Sequence, residues 1–258
     1  MKKIISIIIA TTMLLIAFCS CTPSQTEFSY NSNMRFVTEM IDSNSNQQSS
    51  TLWYDITSLA TLQYHFFETI KENVFVFKVT VAGPSVNNDM YDEIIAEYSS
   101  KFDPDDERRR LGACEILTPV KIEEIYYSSN PDVRVGDIIT VSEHYIYLDE
   151  ELRSKMPNTV EKYNLKIGDI IPTKITNKAF YREMFLEEGY SFIVFCCYQN
   201  DRSYYCTGYW DLAVYSIDRE PMPVDYYGKY EEHEYQRYLN IRKDAIDYYI
   251  NGNKEVLK

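Results

Sequence analysis

The sequence predicts an α+β fold: a small curved antiparallel β-barrel carrying an inserted helix and a C-terminal amphipathic helix. Three observations lead there. From Cys114 to Ile122, the set Cys114, Ile116, Thr118, Val120 and Ile122 alternates with Glu115, Leu117, Pro119 and Lys121, the period of two that lays one face of a strand on a core. At Glu123-Glu124 the phase slips by one residue, which a β-bulge absorbs while bending the strand, as a barrel needs. After the turn chemistry of Ser128 to Asp132, Val133-Arg134-Val135-Gly136-Asp137 leads into a second apolar run, Ile138 to Leu148, which completes a long hairpin. Pro119 cannot donate to a ladder, so its strand has an edge or a bulge there.

The remaining elements follow in chain order. Met1-Lys2-Lys3 and the apolar run Ile4 to Phe18 make a basic start and an apolar stretch of signal-peptide length, shorter than the ~20 residues a spanning helix needs. Residues 1–20 are therefore expected to be a signal peptide and 21–51 a polar tether, because Thr22 to Asn33 and Asp42 to Thr51 have little to bury. Met34 to Ile41 between them carries enough apolar residues to dock as a short element. Residues 52–258 form one domain. Leu59, Leu62, Phe66 and Ile70 lie at helical spacing, and Val74 to Ala82 is the clearest strand, with Phe75, Phe77, Val79 and Val81 on one face. Gly83-Pro84 ends it.

Residues 85–113 are expected to interrupt the sheet, with a helix starting at Asp89 and turning Tyr91, Ile94, Ile95 and Tyr98 inward. The charge block Asp103 to Arg110 lacks the glycine and alternating oxygen ligands of a calcium loop and reads as a solvated helix start. Asp149 to Met156 makes a short helix. Leu165-Lys166-Ile167-Gly168-Asp169-Ile170-Ile171 then echoes Val133-Arg134-Val135-Gly136-Asp137-Ile138-Ile139, an apolar-charged-apolar-Gly-Asp turn that sends the chain into a strand. Tyr190 to Tyr198 is a nearly continuous apolar run, expected to be the most buried strand, and Tyr204 to Asp218 returns beside it. About 231–250 is the C-terminal helix, with Tyr235, Tyr238, Leu239, Ala245, Ile246 and Tyr249 at spacings of three and four and Asn251-Gly252 as its stop.

Two resemblances extend this reading. Phe18-Cys19-Ser20-Cys21 resembles the lipobox of bacterial lipoproteins, in which a small residue precedes the cysteine that takes a diacylglyceryl group. It implies lipid attachment at Cys21, export, and a membrane-anchored location facing the extracytoplasmic side. Val79 to Gly83, Val135-Gly136-Asp137 and Leu186 to Phe192, in that order around the bulged hairpin, look like the turn grammar of small OB-like barrels, including the netrin-like and metalloproteinase-inhibitor barrels. That resemblance implies an OB-like fold over about Val74 to Asp218. The inhibitors' disulfide framework is missing, and a lipidated Cys21 could not serve as a metal-chelating N-terminal cysteine, so their activity is not carried over.

Composition narrows the chemistry. The net charge is −13, and loss of Lys2 and Lys3 leaves 24 basic against 39 acidic side chains, or −15, which repels nucleic acid and anionic surfaces. Four cysteines lie beyond the signal segment and Cys21. Cys196 or Cys197 faces Cys206 across a turn, so a disulfide, with Cys197 and Cys206 as its candidate pair, stands beside free thiols as alternatives. No clustered ligand set points to a metal, no motif points to a cofactor, and no Gly-x-Ser-x-Gly, His-Glu-x-x-His or phosphate loop points to catalysis. The expected function is a non-catalytic binding or interaction module meeting an envelope protein or glycan, with Tyr145, Tyr147, Tyr204, Tyr205 and Trp210 as candidate ligand contacts in this tyrosine-rich chain. An envelope hydrolase with scattered acidic residues is the alternative.

Overall fold

The computed structural model describes residues 26–30, 34, 35, 37, 56–70, 73–98, 107–173, 185–199, 204–207, 213–219 and 232–257. Cys21 and Trp210 lie outside them, as do the signal segment and the charge block from Asp103 to Asp106. Only the backbone of Tyr204, Cys206 and Thr207 is described. The described residues form an α+β body around a strongly curled, antiparallel half-barrel sheet.

The sheet is built on β2 (Val74–Val81), β4 (Cys114–Ser128) and β8 (Ser191–Gln199). β2 lies between β4 and β8, antiparallel to both. The hairpin partner of β4 is β5 (Ile138–Glu143), and β9 (Tyr204–Thr207) pairs with β8 on one side and, in parallel, with β5 on the other. The expected bulge is present. Phe77 pairs with Ile125 where Val76 pairs with Tyr127, and Val79 pairs with Ile122 where Lys78 pairs with Glu124, so Tyr126 and Glu123 are extra residues in β4 and bend it twice. Pro119 sits at a seam. One edge of β4 pairs with β3 (Ser85–Asp89) as far as Leu117 and with β2 from Val120, so the missing N–H costs no ladder bond between strands.

Register assigns the two faces. Phe75, Phe77, Val79, Ile122, Val141, Phe192, Val194 and Tyr205 fill the inner face, and all are buried. On the outer face Val74, Val76, Ile193 and Phe195 are equally buried, because two helical segments cover them. The first is α1 (Leu59–Tyr64), continued by a π-turn His65–Ile70 and capped by the Ser58 side chain, which accepts from the Thr61 N–H. The second is the C-terminal helix, whose Tyr235, Tyr238, Ile241 and Ala245 are buried in the same core. This double cover explains why Phe192 to Cys197 reads as an unbroken apolar run.

Residues 85–113 hold more strand than the sequence suggested. Ser85-Val86-Asn87-Asn88-Asp89 has turn-like composition but forms β3 against the first residues of β4, ahead of α2 (Tyr91–Tyr98) and α3 (Glu107–Gly112). Beyond it β1 (Glu27–Phe28) pairs with β3, so part of the segment expected as tether is strand, with Phe28, Tyr30 and Val37 buried. The run Ile138 to Leu148 breaks at His144. Its second half is β6 (Tyr145–Tyr147), which pairs with β7 (Ile170–Pro172) in a separate two-stranded sheet, while α4 (Glu150–Lys155), capped by Asp149, and α5 (Pro157–Lys162) connect the two.

The echoed turns have one construction. Gly136 and Gly168 have φ of 94° and 91°, a region closed to most residues. Asp137 accepts from the Arg134 N–H through its side chain at 2.8 Å, and Asp169 accepts from the Lys166 N–H at 2.7 Å. In each, the glycine N–H donates to a backbone carbonyl (Ile122 or Leu148), and that residue's N–H donates back to the aspartate carbonyl.

Candidate functional site

Where β5 ends, the inner face turns polar. Glu143 is the Cα partner of Ile116 and keeps phase with Ile139 and Val141, so its side chain points inward with theirs. It is 2% exposed. One carboxylate oxygen accepts from the Thr118 hydroxyl at 2.7 Å and from the Tyr30 hydroxyl at 3.5 Å, and the other accepts from the Leu186 N–H at 3.1 Å. Thr118 in turn shares a 2.8 Å hydroxyl contact with Ser85 of β3, in which either oxygen can donate. Three segments far apart in sequence, around Tyr30, Thr118 and Leu186, thus meet on one carboxyl group.

Burial raises the pKa of Glu143 to about 7, although the bonds from Thr118, Leu186 and Tyr30 favour the ionised form. The same burial, reinforced by Glu143 and Tyr145, pushes the Tyr30 phenol up. The hydroxyl chain accommodates both states of the acid. With Glu143 ionised, Thr118 donates to it; with Glu143 protonated, Thr118 accepts from it and donates to Ser85.

Aromatic rings seal the cluster. Tyr145 is buried with its ring 4.4 Å from that of Phe185, Tyr30 packs on the same Phe185 at 5.2 Å, and Tyr147 stacks on Phe28 at 4.4 Å and 11°. Asn87 of β3 holds the β6 strand down. Its amide donates to the Tyr147 carbonyl at 2.6 Å, and its oxygen accepts the Tyr147 N–H at 2.9 Å, the pairing a neighbouring strand would supply. Among the described residues the Glu143 carboxyl accepts from Thr118, Tyr30 and Leu186, so it ties three distant segments together.

Of the aromatic residues expected to contact a ligand whose side chains are described, Tyr145 and Tyr147 lie in this seal. Tyr205 lies in the main core, edge-on to Phe75 at 5.1 Å and Phe77 at 6.0 Å, and burial pushes its pKa up to about 12. β9 register sets Cys206 opposite Cys197 and Thr207 opposite Cys196, which singles out Cys197 of the two adjacent cysteines. Cys197 is a half-buried thiol, its pKa raised by burial.

Two other features stand outside the cluster. Arg110 bridges Asp89 and Asp92 at 2.7 Å each and covers the Tyr91 ring at 4.7 Å, with Lys155 3.1 Å from Asp89, so this acidic pocket is neutralised from within. The echoed turns present branched apolar side chains to water: Val135 is 61%, Ile138 66% and Ile167 43% exposed. Among the described residues no three His, Cys, Asp or Glu side chains are placed to hold a metal ion, and no helix is long and apolar enough to cross a membrane.

Sequence reading did not single out Glu143, Thr118, Ser85 or Asn87. A signal for the first existed, since Ile139, Val141, Glu143 and Tyr145 are in phase and a carboxylate in an inward series is a buried acid. Ser85 and Asn87 carry none, because their segment has the composition of a loop. No protein-family model, curated protein or solved structure matches this chain.

Proposed function

We propose that this chain is an exported, lipid-anchored and non-catalytic interaction module, an OB-like barrel that offers an outer face to another component of the cell envelope. The observation that carries this reading is the path of strand pairing. β2 pairs with β4, β4 with β5, β5 with β9, β9 with β8, and β8 with β2 again, β5–β9 being the parallel step. Such a five-stranded circuit supports the OB-like reading, and OB-like barrels bind on their second and third strands and adjoining loops. Counted from β2, those strands are β4 and β5.

Phe75, Phe77, Val141 and Tyr205 fill the interior of the circuit, so a partner is met on its outside. The turn joining β4 to β5 carries Val135, and β5 opens on Ile138, the two most exposed aliphatic side chains among the described residues' large exposed hydrophobics. A branched aliphatic pair suits an apolar patch on a protein. The test is affinity capture from the solubilised envelope of its own cell, using the full chain in mild detergent beside a Val135→Ser, Ile138→Ser variant. A protein partner lost in the variant supports the module and locates its face. Capture unaffected by the substitutions moves the face elsewhere, and capture of nothing above background, from envelope protein or glycan panels, refutes the module.

A further inference from the structure

We propose that the side of the body carrying β1 and the Lys166–Asp169 turn rests directly on the lipid surface, with Ile167 in the interfacial region of the bilayer. This inference rests on the reading of Cys21 as the lipidated residue. Five residue steps separate Cys21 from Thr26, and a chain spans at most about 3.6 Å per residue, so whatever its conformation the linker reaches no further than about 18 Å. From Glu27 the chain belongs to the body: Glu27 and Phe28 pair with β3, Phe28 and Tyr30 are buried, and the Arg35 carbonyl and Val37 N–H bond the backbone of Ile170 in β7. A body of this length has a radius of gyration of about 17 Å and is more than about 40 Å across. Its leash is shorter than its own width, so the side on which β1 lies must face the membrane.

That side includes the second of the echoed turns. Phe28 stacks on Tyr147, and the Tyr147 hydroxyl lies 3.9 Å from the point where a Cβ on Gly168 would stand, which puts the Lys166–Asp169 turn beside the entry strand. Arg35 reaches the same turn, its guanidinium donating to Asp169 at 3.0 Å and to the Asn164 carbonyl at 3.0 Å. At its tip Ile167 is 43% exposed, with exposed Lys166 before it. An apolar tip with a basic neighbour sets its side chain among acyl chains and its ammonium among headgroups. The net acidity of the chain disfavours an anionic surface, so the surface it fits is zwitterionic.

The experiment uses the full acylated chain in phosphatidylcholine vesicles. Both tryptophans, Trp53 and Trp210, are replaced by Phe, and a single tryptophan is introduced by Ile167→Trp or, as reference, by Ile138→Trp. Lipids brominated near the glycerol end of their chains quench only tryptophan at that depth. Loss of most of the emission at position 167, with little loss at position 138, supports the proposal. Vesicle-bound protein with unquenched emission at position 167, or with stronger quenching at position 138, overturns it while leaving the lipid anchor intact. Protein that fails to float with vesicles, and behaves as its Cys21→Ala variant does, overturns the anchor reading and this inference together.

Discussion

Replacing Glu143 by Gln tests the buried acid directly. The carboxyl titrates near 7 in the folded chain and near 4.5 when unfolded. Between those values the unfolded chain has released a proton that the folded chain still holds, so stability falls as pH rises through the folded pKa. At 1.36 kcal/mol per pKa unit, the ionised group costs about 3 kcal/mol once pH is well above 7, and the contribution is favourable in full only below 4.5. The introduced glutamine side chain would reproduce the protonated state, its amide donating to Thr118, Thr118 donating to Ser85, and its carbonyl accepting from Leu186. The assay is urea unfolding of the full chain in mild detergent, followed by fluorescence at pH 5 and pH 8. The variant should match the parent within about 1 kcal/mol at pH 5 and exceed it by about 2–3 kcal/mol at pH 8, with the same m-value. A variant whose stability falls between pH 5 and pH 8 as much as the parent's would refute the assignment of that proton to Glu143.

Mild oxidation of the full chain should link Cys197 to Cys206 and leave Cys196 reduced, because register sets the first pair opposite; peptide mapping under non-reducing conditions reads it, and a Cys196–Cys206 link contradicts the register. Arg110→Ala should cost about 2–3 kcal/mol by leaving Asp89, only 13% exposed, with Lys155 as its one cationic partner beside the Tyr91 N–H, measured as a shift of the urea midpoint; a loss under about 1 kcal/mol means that the pair is solvated. Tyr205→Ala should unfold a large part of the core at a cost of about 3–5 kcal/mol, whereas Tyr205→Phe should be tolerated, so lost binding in the alanine variant reports unfolding and calorimetry separates the two. Gly136→Ala should cost about 1 kcal/mol through backbone strain alone, since nothing lies within 4 Å of the added Cβ, and Gly136→Asn should recover part of it.

What the sequence made legible was what local periodicity and turn chemistry encode. The bulge at Glu123 shows itself in sequence because a strand with one buried face cannot change phase without an extra residue. The echoed Gly-Asp turns were legible because a positive φ and a side-chain acceptor three residues after the donor select those residue types. β3 was not legible, since Ser85 to Asp89 is turn-like in composition and is held as a strand by pairing with β1 and β4. The same holds at Ser29 and Tyr30, where a short polar run hides one ring whose partner, Glu143, lies 113 residues away.

That distance also explains why the candidate site was missed. Each of its donors is unremarkable alone: a threonine in an alternating strand, a serine after Gly83-Pro84, a tyrosine in a polar leader and one backbone N–H. They become a site because the β4–β5 register points Thr118 and Glu143 to the same side, β3 brings Ser85 alongside, and the entry strand carries Tyr30 over the top. The arrangement couples two properties that the sequence presents separately. Segments 28–30 and 185–186 close over Glu143, and the first of them continues from β1 at the edge of the sheet. Ionising the acid strengthens the bonds donated to it but leaves a charge shut away from water, so the segments that close over it gain most from opening to hydrate it. Hydrogen exchange of the full chain at pH 5 and pH 8 should accordingly show the largest gain in exchange at Phe28 to Tyr30 and Phe185 to Leu186, and uniform gain across β2 and β8 would place the effect in the whole fold.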